Sequence, residues 1–279
     1  MPTLKPRIQG MLKRAGLYNR LKGSSIYSLY WRMADPSLID NRSREVDFYR
    51  DLLKEFPEGG LIFDVGANQG TKTDIFLRLG ARVVAIEPDQ TNQQILRERY
   101  QRYRLTPKPV VIVGKAVSNR NAVETMWIDE PGSAKNTFSR KWVDTLRTDD
   151  ERFGHNLQFA QKKEIETTTL EQLFGLHGLP FFVKIDVEGH ELSVLQGMRR
   201  PVPYLSFEVN LPEFMEEGLK CVELLGGLAV DGKFNYAADC RRGFILKEWL
   251  SPWEFSPLLN RCTDESIEVF WKTPRCTRG

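Results

Sequence analysis

The stretch Leu61-Ile62-Phe63-Asp64-Val65-Gly66-Ala67-Asn68-Gln69-Gly70 decides the fold of this 279-residue chain. Its first five residues are mainly apolar, which is typical of a strand buried inside a sheet. Gly66 and Gly70 then bracket a tight turn, and an apolar periodic segment at 71–79 predicts a helix. A strand that passes through a glycine turn into a helix is the opening unit of a nucleotide-binding α/β fold.

The same alternation continues after this unit. We expect further strands at 82–86, 110–113, 181–185 and 204–209, and further helices at 90–100 and 191–198. Parallel strands need crossover connections, which place helices on the faces of the sheet. The sequence therefore predicts an α/β protein with a Rossmann-like, mostly parallel, doubly wound sheet.

The segment at 117–166 interrupts this alternation, because it has no clear period. Pro131-Gly132-Ser133 is interpreted as part of a hairpin, whose clearest strand is 123–128, followed by a mobile loop. After this insertion, Thr169 and Gln172 form a capping-box pattern for a short helix through Phe174, which Gly175 and Gly178 should end.

The two ends of the chain extend this core. Val46, Tyr49, Leu53 and Phe56 recur at helical spacing and predict an amphipathic helix. Past residue 209 we expect helices at 213–225 and 252–259, with short strands at 227–230, 244–246 and 266–271. The predicted organisation is a helical extension at 1–58 and one domain at 59–279, with the insertion around 117–166.

Composition narrows the function classes. The net charge is only +3, well short of what nucleic-acid binding usually requires, so no nucleic-acid partner is expected. Four cysteines, Cys221, Cys240, Cys262 and Cys276, show neither zinc spacing nor close pairs, which favours a reducing, cytoplasmic location. The sequence contains no run of 18 apolar residues, so no membrane span is predicted. The basic N-terminal residues are interpreted as a solvated helix, with attachment to a membrane surface as the alternative.

The spacing of the two glycines and the acidic residues near them indicate which ligand the turn could bind. A dinucleotide site would have the spacing G-x-G-x-x-G, whereas Gly66 and Gly70 are separated by three residues. Asp64 would repel pyrophosphate but suits an ammonium group, which S-adenosylmethionine carries. Glu87, at the end of the second strand, suits two ribose hydroxyls. The alternatives are an NAD(P)-dependent oxidoreductase and a non-catalytic module that binds S-adenosylmethionine.

A second group of polar residues lies at the ends of the fourth and fifth strands. Lys184, Asp186 and Glu188 share one side of their segment, and Glu208 has the matching parity on the next strand. Unpaired charges are costly in a central strand, so these residues either line a cleft or neutralise one another. His190 is a candidate general base, although a packing or capping role is equally compatible.

With both motifs in view, the chain resembles the FkbM family of methyltransferases. The matching segments are Phe63 to Gly70, Ala85-Ile86-Glu87-Pro88, Lys115-Ala116-Val117-Ser118 and Val183 to Glu191. The resemblance implies a class I methyltransferase fold, S-adenosylmethionine as donor, and O-methylation of a hydroxyl on a sugar or natural product.

Site residues follow from the resemblance, residue by residue. Those implied to contact the cofactor are Asp64, Gly66, Ala67, Asn68, Gly70, Glu87, Ala116 and Asp186. Those implied to act in catalysis are Lys184, Asp186, Glu188 and His190. More distant O-methyltransferases bind a divalent metal at corresponding strand ends, which by analogy makes Asp186 and Glu208 candidate Mg²⁺ ligands.

The acceptor itself is expected to be a small molecule or a glycan, and a homo-oligomer is compatible with the sequence. The loop at 131–140 contains Asn136, Thr137 and Ser139. We interpret it as a lid or an acceptor contact, with a plain surface loop as the alternative.

Overall fold

The computed structural model describes residues 37–101, 110–153 and 157–274. The basic N-terminal segment lies outside these ranges, and so do most of the predicted extension at 1–58 and Cys276. Within them, no helix is both long and apolar enough to cross a membrane.

The described residues form ten strands, numbered here along the chain. They are β1 Leu61–Val65, β2 Arg82–Ile86, β3 Val110–Val113, β4 Ala116–Val117, β5 Val123–Ile128, β6 Gln161–Thr168, β7 Phe182–Ile185, β8 Tyr204–Asn210, β9 Lys233–Ala237 and β10 Ser266–Lys272. Seven of them make the main sheet, in the order β3-β2-β1-β7-β8-β10-β9. The first five run parallel, and β10 pairs antiparallel with both neighbours. The predicted fold class is confirmed.

The helices lie between these strands. They are α1 Ser37–Leu52, α2 Thr71–Arg78, α3 Gln90–Arg99, α4 Arg140–Thr148, α5 Asp150–Phe153, α6 Leu170–His177, α7 Glu191–Gln196, α8 Met215–Leu228 and α9 Pro252–Leu259. Side-chain caps mark several starts: the Asp89 carboxylate accepts hydrogen bonds from the backbone of Thr91 and Asn92, for example. A short 3₁₀ helix, Cys240–Arg242, follows β9.

Apolar side chains from β1 and β7 pack on opposite faces of the sheet, as their alternation requires. Phe63 and Val183 contribute to a core on one face, and Ile62 and Phe182 to a second core on the other. Tyr49 of α1 belongs to this second core and is completely buried. Helix α1 is therefore packed against this face of the sheet.

The insertion differs from its predicted hairpin. Strand β5 pairs antiparallel with β6, which lies more than thirty residues further along the chain. Between Trp127 and Thr137 there is a single isolated bridge. Neither β6 nor α4 was predicted, because seven of the eight residues of β6 are polar or charged and α4 is only nine residues long. A small sheet, β4-β6-β5, results.

Three further expectations are wrong. The predicted strand at 227–230 covers the end of α8 and the turn after it, and residues 244–246 form no strand. The strand in this region is β9, which sequence analysis missed. Helix α6 continues through Gly175 and ends at Gly178, whose φ of 98° suits only glycine well.

Candidate active site

A cleft enclosing about 740 Å³ opens at the carboxyl ends of the parallel strands. Its wall includes residues that follow β1, β2 and β7, together with part of the loop between β5 and α4. This is where open α/β sheets bind ligands.

The glycine turn between β1 and α2 is shaped mainly by protein packing. Gly66 has a φ of 81°, and a Cβ there would overlap the backbone oxygen of Asp186. Gly70 has a φ of 83°, and a Cβ there would lie 2.6 Å from the hydroxyl of Tyr100. Gly66 lines the cleft, whereas Gly70 is buried behind it. Both glycines are thus required by their neighbours in the protein.

Glu87 presents a buried carboxylate to the cleft from the end of β2. One oxygen accepts a hydrogen bond from the backbone N–H of Asn68 at 2.7 Å, and the other from that of Asp89 at 2.8 Å. Burial raises the pKa of Glu87 to about 7, although these two bonds oppose the rise. The carboxylate also accepts a hydrogen bond from the Asn92 side chain, which leaves about one of its four lone-pair positions for a hydroxyl donor.

Three residues of the glycine loop lie behind the cleft wall. The Asp64 carboxylate accepts a hydrogen bond from the Thr73 hydroxyl at 2.5 Å, which ties β1 to α2. Burial raises the pKa of Asp64. Ala67 and Gly70 are also buried, and none of the three borders the cleft. Their contacts with a cofactor stay predictions.

Two residues from other elements complete this end of the cleft. Ala116 borders it, where the resemblance places it. Asn92, on α3, also borders it and is 2% exposed, yet its side-chain oxygen has no hydrogen-bond partner among the described residues. Sequence analysis missed Asn92, because an asparagine in the first turn of a helix is an ordinary surface choice. An unpaired buried acceptor suits a ligand that donates.

The second part of the site is a group of three carboxylates, Asp186, Glu188 and Glu208, hereafter the acidic group. Each offers an oxygen within 4.8 Å of the others. Asp186 and Glu188 border the cleft. The sequence predicted all three positions, and the parallel pairing of β7 with β8 brings them together.

Lys184 determines the ionisation of Asp186. Its ammonium group lies 2.8 Å from the Asp186 carboxylate and is almost completely buried. Burial raises the pKa of Asp186, but the charge and hydrogen bond of Lys184 outweigh this effect and lower it. The pKa of Lys184 is in turn raised by Asp186 and Glu268, against the effect of burial. Lys184 does not line the cleft itself, and it neutralises Asp186, which does.

In the other two carboxylates, Glu188 and Glu208, the pKa is raised. Burial, followed by the charge of Asp186, raises the pKa of Glu188 to about 8. The same two causes raise the pKa of Glu208 well above its usual range. Glu208 accepts hydrogen bonds from Ser266 at 3.1 Å and from Asn210 at 3.3 Å. Like charges this close favour sharing of protons within the acidic group or neutralisation by a cation.

His190 borders the cleft opposite the small sheet. Its Nε2 lies 3.3 Å from the Ser118 hydroxyl and 3.7 Å from the Glu124 carboxylate. The Phe138 ring packs beside it, with centroids 5.5 Å apart. Burial lowers the pKa of His190, so its imidazole is neutral at neutral pH.

The loop between β5 and α4 connects the two parts of the site. At one end, the backbone of Gly132 and the side-chain amide of Asn136 both donate to the Asp89 carboxylate, at 3.2 and 3.0 Å. At the other end, the Thr137 hydroxyl donates to the backbone oxygen of Glu188 at 2.6 Å. Asn136 also borders the cleft. The loop is therefore part of the cleft wall, and its role as a lid or an acceptor contact stays a prediction.

The sheet order, the cleft at the strand ends and a matching family model define a class I methyltransferase-like domain. A family model described as the methyltransferase FkbM domain matches residues 64–223. The chain belongs to the FkbM family of S-adenosylmethionine-dependent methyltransferases. The resemblance drawn from the sequence motifs is confirmed, and membership decides against the NAD(P)-dependent alternative.

One characterised relative is the hexuronic acid methyltransferase AglP of Haloferax volcanii. It is 29% identical to the chain over 167 residues, which are 59% of this chain and 61% of AglP. The match therefore spans less than two thirds of the length of that relative.

Solved methyltransferase structures are similar to the chain at lower sequence identity. A TehB-like S-adenosylmethionine-dependent methyltransferase from Corynebacterium glutamicum has 9% identity and a TM-score of 0.40, over 83% of this chain and 88% of that one. The plantazolicin methyltransferase BpumL in complex with SAH has 10% identity and a TM-score of 0.39, over 96% and 100%. Both TM-scores are below 0.5, so function is argued from the family and from the site.

Proposed function

We propose that this chain transfers a methyl group from S-adenosylmethionine to a hydroxyl of a sugar or of a natural-product-like small molecule. The observation that carries the proposal is that the carboxylates of Asp186 and Glu188 border the same cleft as that of Glu87. One end of the cleft thus suits a nucleoside, and the other end can take a proton. The name of AglP, a hexuronic acid methyltransferase, supports a sugar acceptor.

The residues at the nucleoside end fit the cofactor. Glu87 keeps a lone-pair position for a ribose hydroxyl while the backbone of Asn68 and Asp89 and the side chain of Asn92 hold it in place. Gly66 and Ala116 border the space beside it. Asp186 is also proposed to contact the cofactor, because it borders the cleft directly after β7.

At the acceptor end, the proposed role of the acidic group is to take a proton. When bound, S-adenosylmethionine supplies a methyl group on a sulfonium, and the electron pair of the broken carbon–sulfur bond stays on sulfur while the acceptor oxygen gains the methyl. The hydroxyl proton passes to the Glu188 carboxylate, which borders the cleft and, with a pKa raised to about 8, is mainly ionised above that pH. Lys184 keeps Asp186 ionised to orient the hydroxyl. Neutral His190 stays the alternative base.

A Mg²⁺ ion held by Asp186 and Glu208 stays a further part of the proposal. Carboxylate oxygens are the ligands that this hard cation prefers. At that position it would make an acceptor hydroxyl more acidic. Calorimetric titration with MgCl₂, followed by assays in EDTA, tests this proposal. If no heat of binding is measured and turnover is full in EDTA, the proposed metal site is wrong.

The proposal is tested by incubating the purified chain with methyl-labelled S-adenosylmethionine and either methyl glucoside or methyl glucuronide. An O-methyl ether survives mild alkali, whereas a methyl ester is hydrolysed, so alkali-stable label supports a hydroxyl acceptor. Alkali-labile label would show that a carboxylate accepts instead. Cofactor affinity without transfer to any tested acceptor, and without slow hydrolysis of the cofactor, would support the non-catalytic module.

A further inference from the structure

Glu188 has an unusual backbone conformation at the cleft. Its φ of 55° lies in the left-handed region, where a residue with a Cβ costs roughly 1–2 kcal/mol. The following residue, Gly189, is also left-handed, with a φ of 86°. Such strain persists only where the surroundings hold it in place, and it concentrates at functional sites.

Two side chains from the segment at 137–142 hold Glu188. Thr137 donates to its backbone oxygen at 2.6 Å, and the indole N–H of Trp142 donates to its carboxylate at 2.9 Å. Since one bond holds the main chain and the other the side chain, both the position and the direction of the carboxylate are determined.

Trp142 is itself rigidly placed. It is 2% exposed, and its ring packs edge-on against Phe153 and Phe214, at centroid distances of 5.0 and 5.5 Å. Its backbone N–H donates to the hydroxyl of Ser139, which caps α4. A tryptophan packed on both sides in this way keeps its N–H directed at one point.

We propose that Trp142 is a positioning residue for methyl transfer, because its indole N–H fixes the Glu188 carboxylate in the direction of the acceptor hydroxyl. This inference rests on the proposed function, since it takes Glu188 to be the proton acceptor. Trp142 contacts neither acceptor nor cofactor in this role and acts only through Glu188.

The test is a double-mutant cycle of Trp142→Phe and Glu188→Gln, with methyl glucuronide as the acceptor probe. Trp142→Phe keeps the aromatic packing but removes the N–H. At about pH 9, above the pKa of about 8 of Glu188, the lost hydrogen bond is one to a charged group and predicts a fall in kcat of about 10- to 100-fold. The KM for S-adenosylmethionine should change less than about twofold. Adding Trp142→Phe to Glu188→Gln should lower kcat no further, because the two residues act through one bond.

Trp271→Phe is the matched control. Trp271 is completely buried in the core, and its indole nitrogen has no hydrogen-bond partner among the described residues. The Trp271→Phe variant should be less stable than the wild-type protein but keep its kcat. If Trp142→Phe lowers kcat no more than this control does, or if its loss multiplies with that of Glu188→Gln, the inference is overturned. Full activity of Glu188→Gln would instead overturn the proposed role of Glu188.

A spectroscopic measurement keeps the inference testable if Trp142→Phe does not fold. In chain labelled with ¹⁵N-tryptophan, Glu188→Gln should move the indole N–H resonance of Trp142, whereas Glu217→Gln should not. Glu217, on α8, pairs with Lys141, which lies on the same helix as Trp142. Among the described residues, no hydrogen bond or ion pair joins Glu217 to Trp142. An unmoved resonance in Glu188→Gln would overturn the inference.

Discussion

Two carboxylates face the same cleft and are held in opposite ways. Glu87 accepts from backbone N–H groups 2 and 19 positions away, which belong to its own turn and to the glycine turn. The Glu188 carboxylate accepts from the side chain of Trp142, 46 positions away, and the Glu188 backbone oxygen accepts from that of Thr137, 51 positions away. Because every residue except proline supplies a backbone donor, the nucleoside end depends on the fold, whereas the acceptor end depends on individual side chains.

The largest effect is expected at the acceptor end. Asp186→Asn removes a charge beside the proposed proton acceptor and should lower turnover by a factor of about 100 or more. The Kd for S-adenosylmethionine should stay within about threefold. Turnover assays and calorimetry measure the two quantities, and unchanged turnover would contradict the role assigned to the acidic group.

A matched control separates chemistry from stability. Asp186→Asn leaves Lys184 buried without its ion-pair partner, which is itself destabilising. The double variant Asp186→Asn with Lys184→Met removes that unpaired charge and should regain stability in urea unfolding. If it also regains turnover, the loss came from the lysine and not from the missing carboxylate.

The next effect is at the nucleoside end. Glu87→Gln removes the charge that receives ribose hydroxyls and should weaken S-adenosylmethionine binding by about 10- to 100-fold, measured by calorimetry. Glu98→Gln, on the exposed side of α3, is the control and should bind normally. An equal loss in both variants would refute the assignment of Glu87.

A smaller effect is expected from pH. The pKa of Glu87 is raised to about 7, so its carboxylate loses its charge as pH falls through that value. Cofactor affinity should therefore be constant above about pH 8 and fall by at most about tenfold per pH unit below 7. A Kd measured from pH 8 to 6 tests this, and the profile should be flatter in Glu87→Gln. A wild-type Kd that does not vary over this range would contradict the prediction.

The smallest effect concerns the glycine turn. Gly70 and Gly80 have similar left-handed φ values, but a Cβ on Gly70 meets Tyr100 whereas one on Gly80 meets nothing within 4 Å. In both variants alanine must adopt a left-handed backbone conformation, which costs free energy. Gly70→Ala should therefore lower the free energy of unfolding by about 1 kcal/mol more than Gly80→Ala does. Equal losses in urea unfolding would mean that packing against α3 does not require this glycine.

Predictions from sequence were most successful where the pattern is local. Strands β1, β2, β3 and β5 and helix α9 were predicted with the bounds that the structure shows. The insertion was interpreted wrongly, because the hairpin pattern near Pro131 suggested a nearby partner for β5. Its true partner, β6, has charged residues at alternate positions and little apolar character.

The sequence by itself determined the five parallel strands of the sheet, the glycine turn, Glu87 and the positions of the acidic group, because each follows from short-range periodicity or from the end of a strand. Only the tertiary structure decided that Asp64 is turned inward to Thr73, that Asn92 borders the cleft, and that Trp142 holds Glu188. The physical reason is the separation along the chain. Contacts between distant side chains depend on how whole elements pack, and no periodicity in the sequence records that packing.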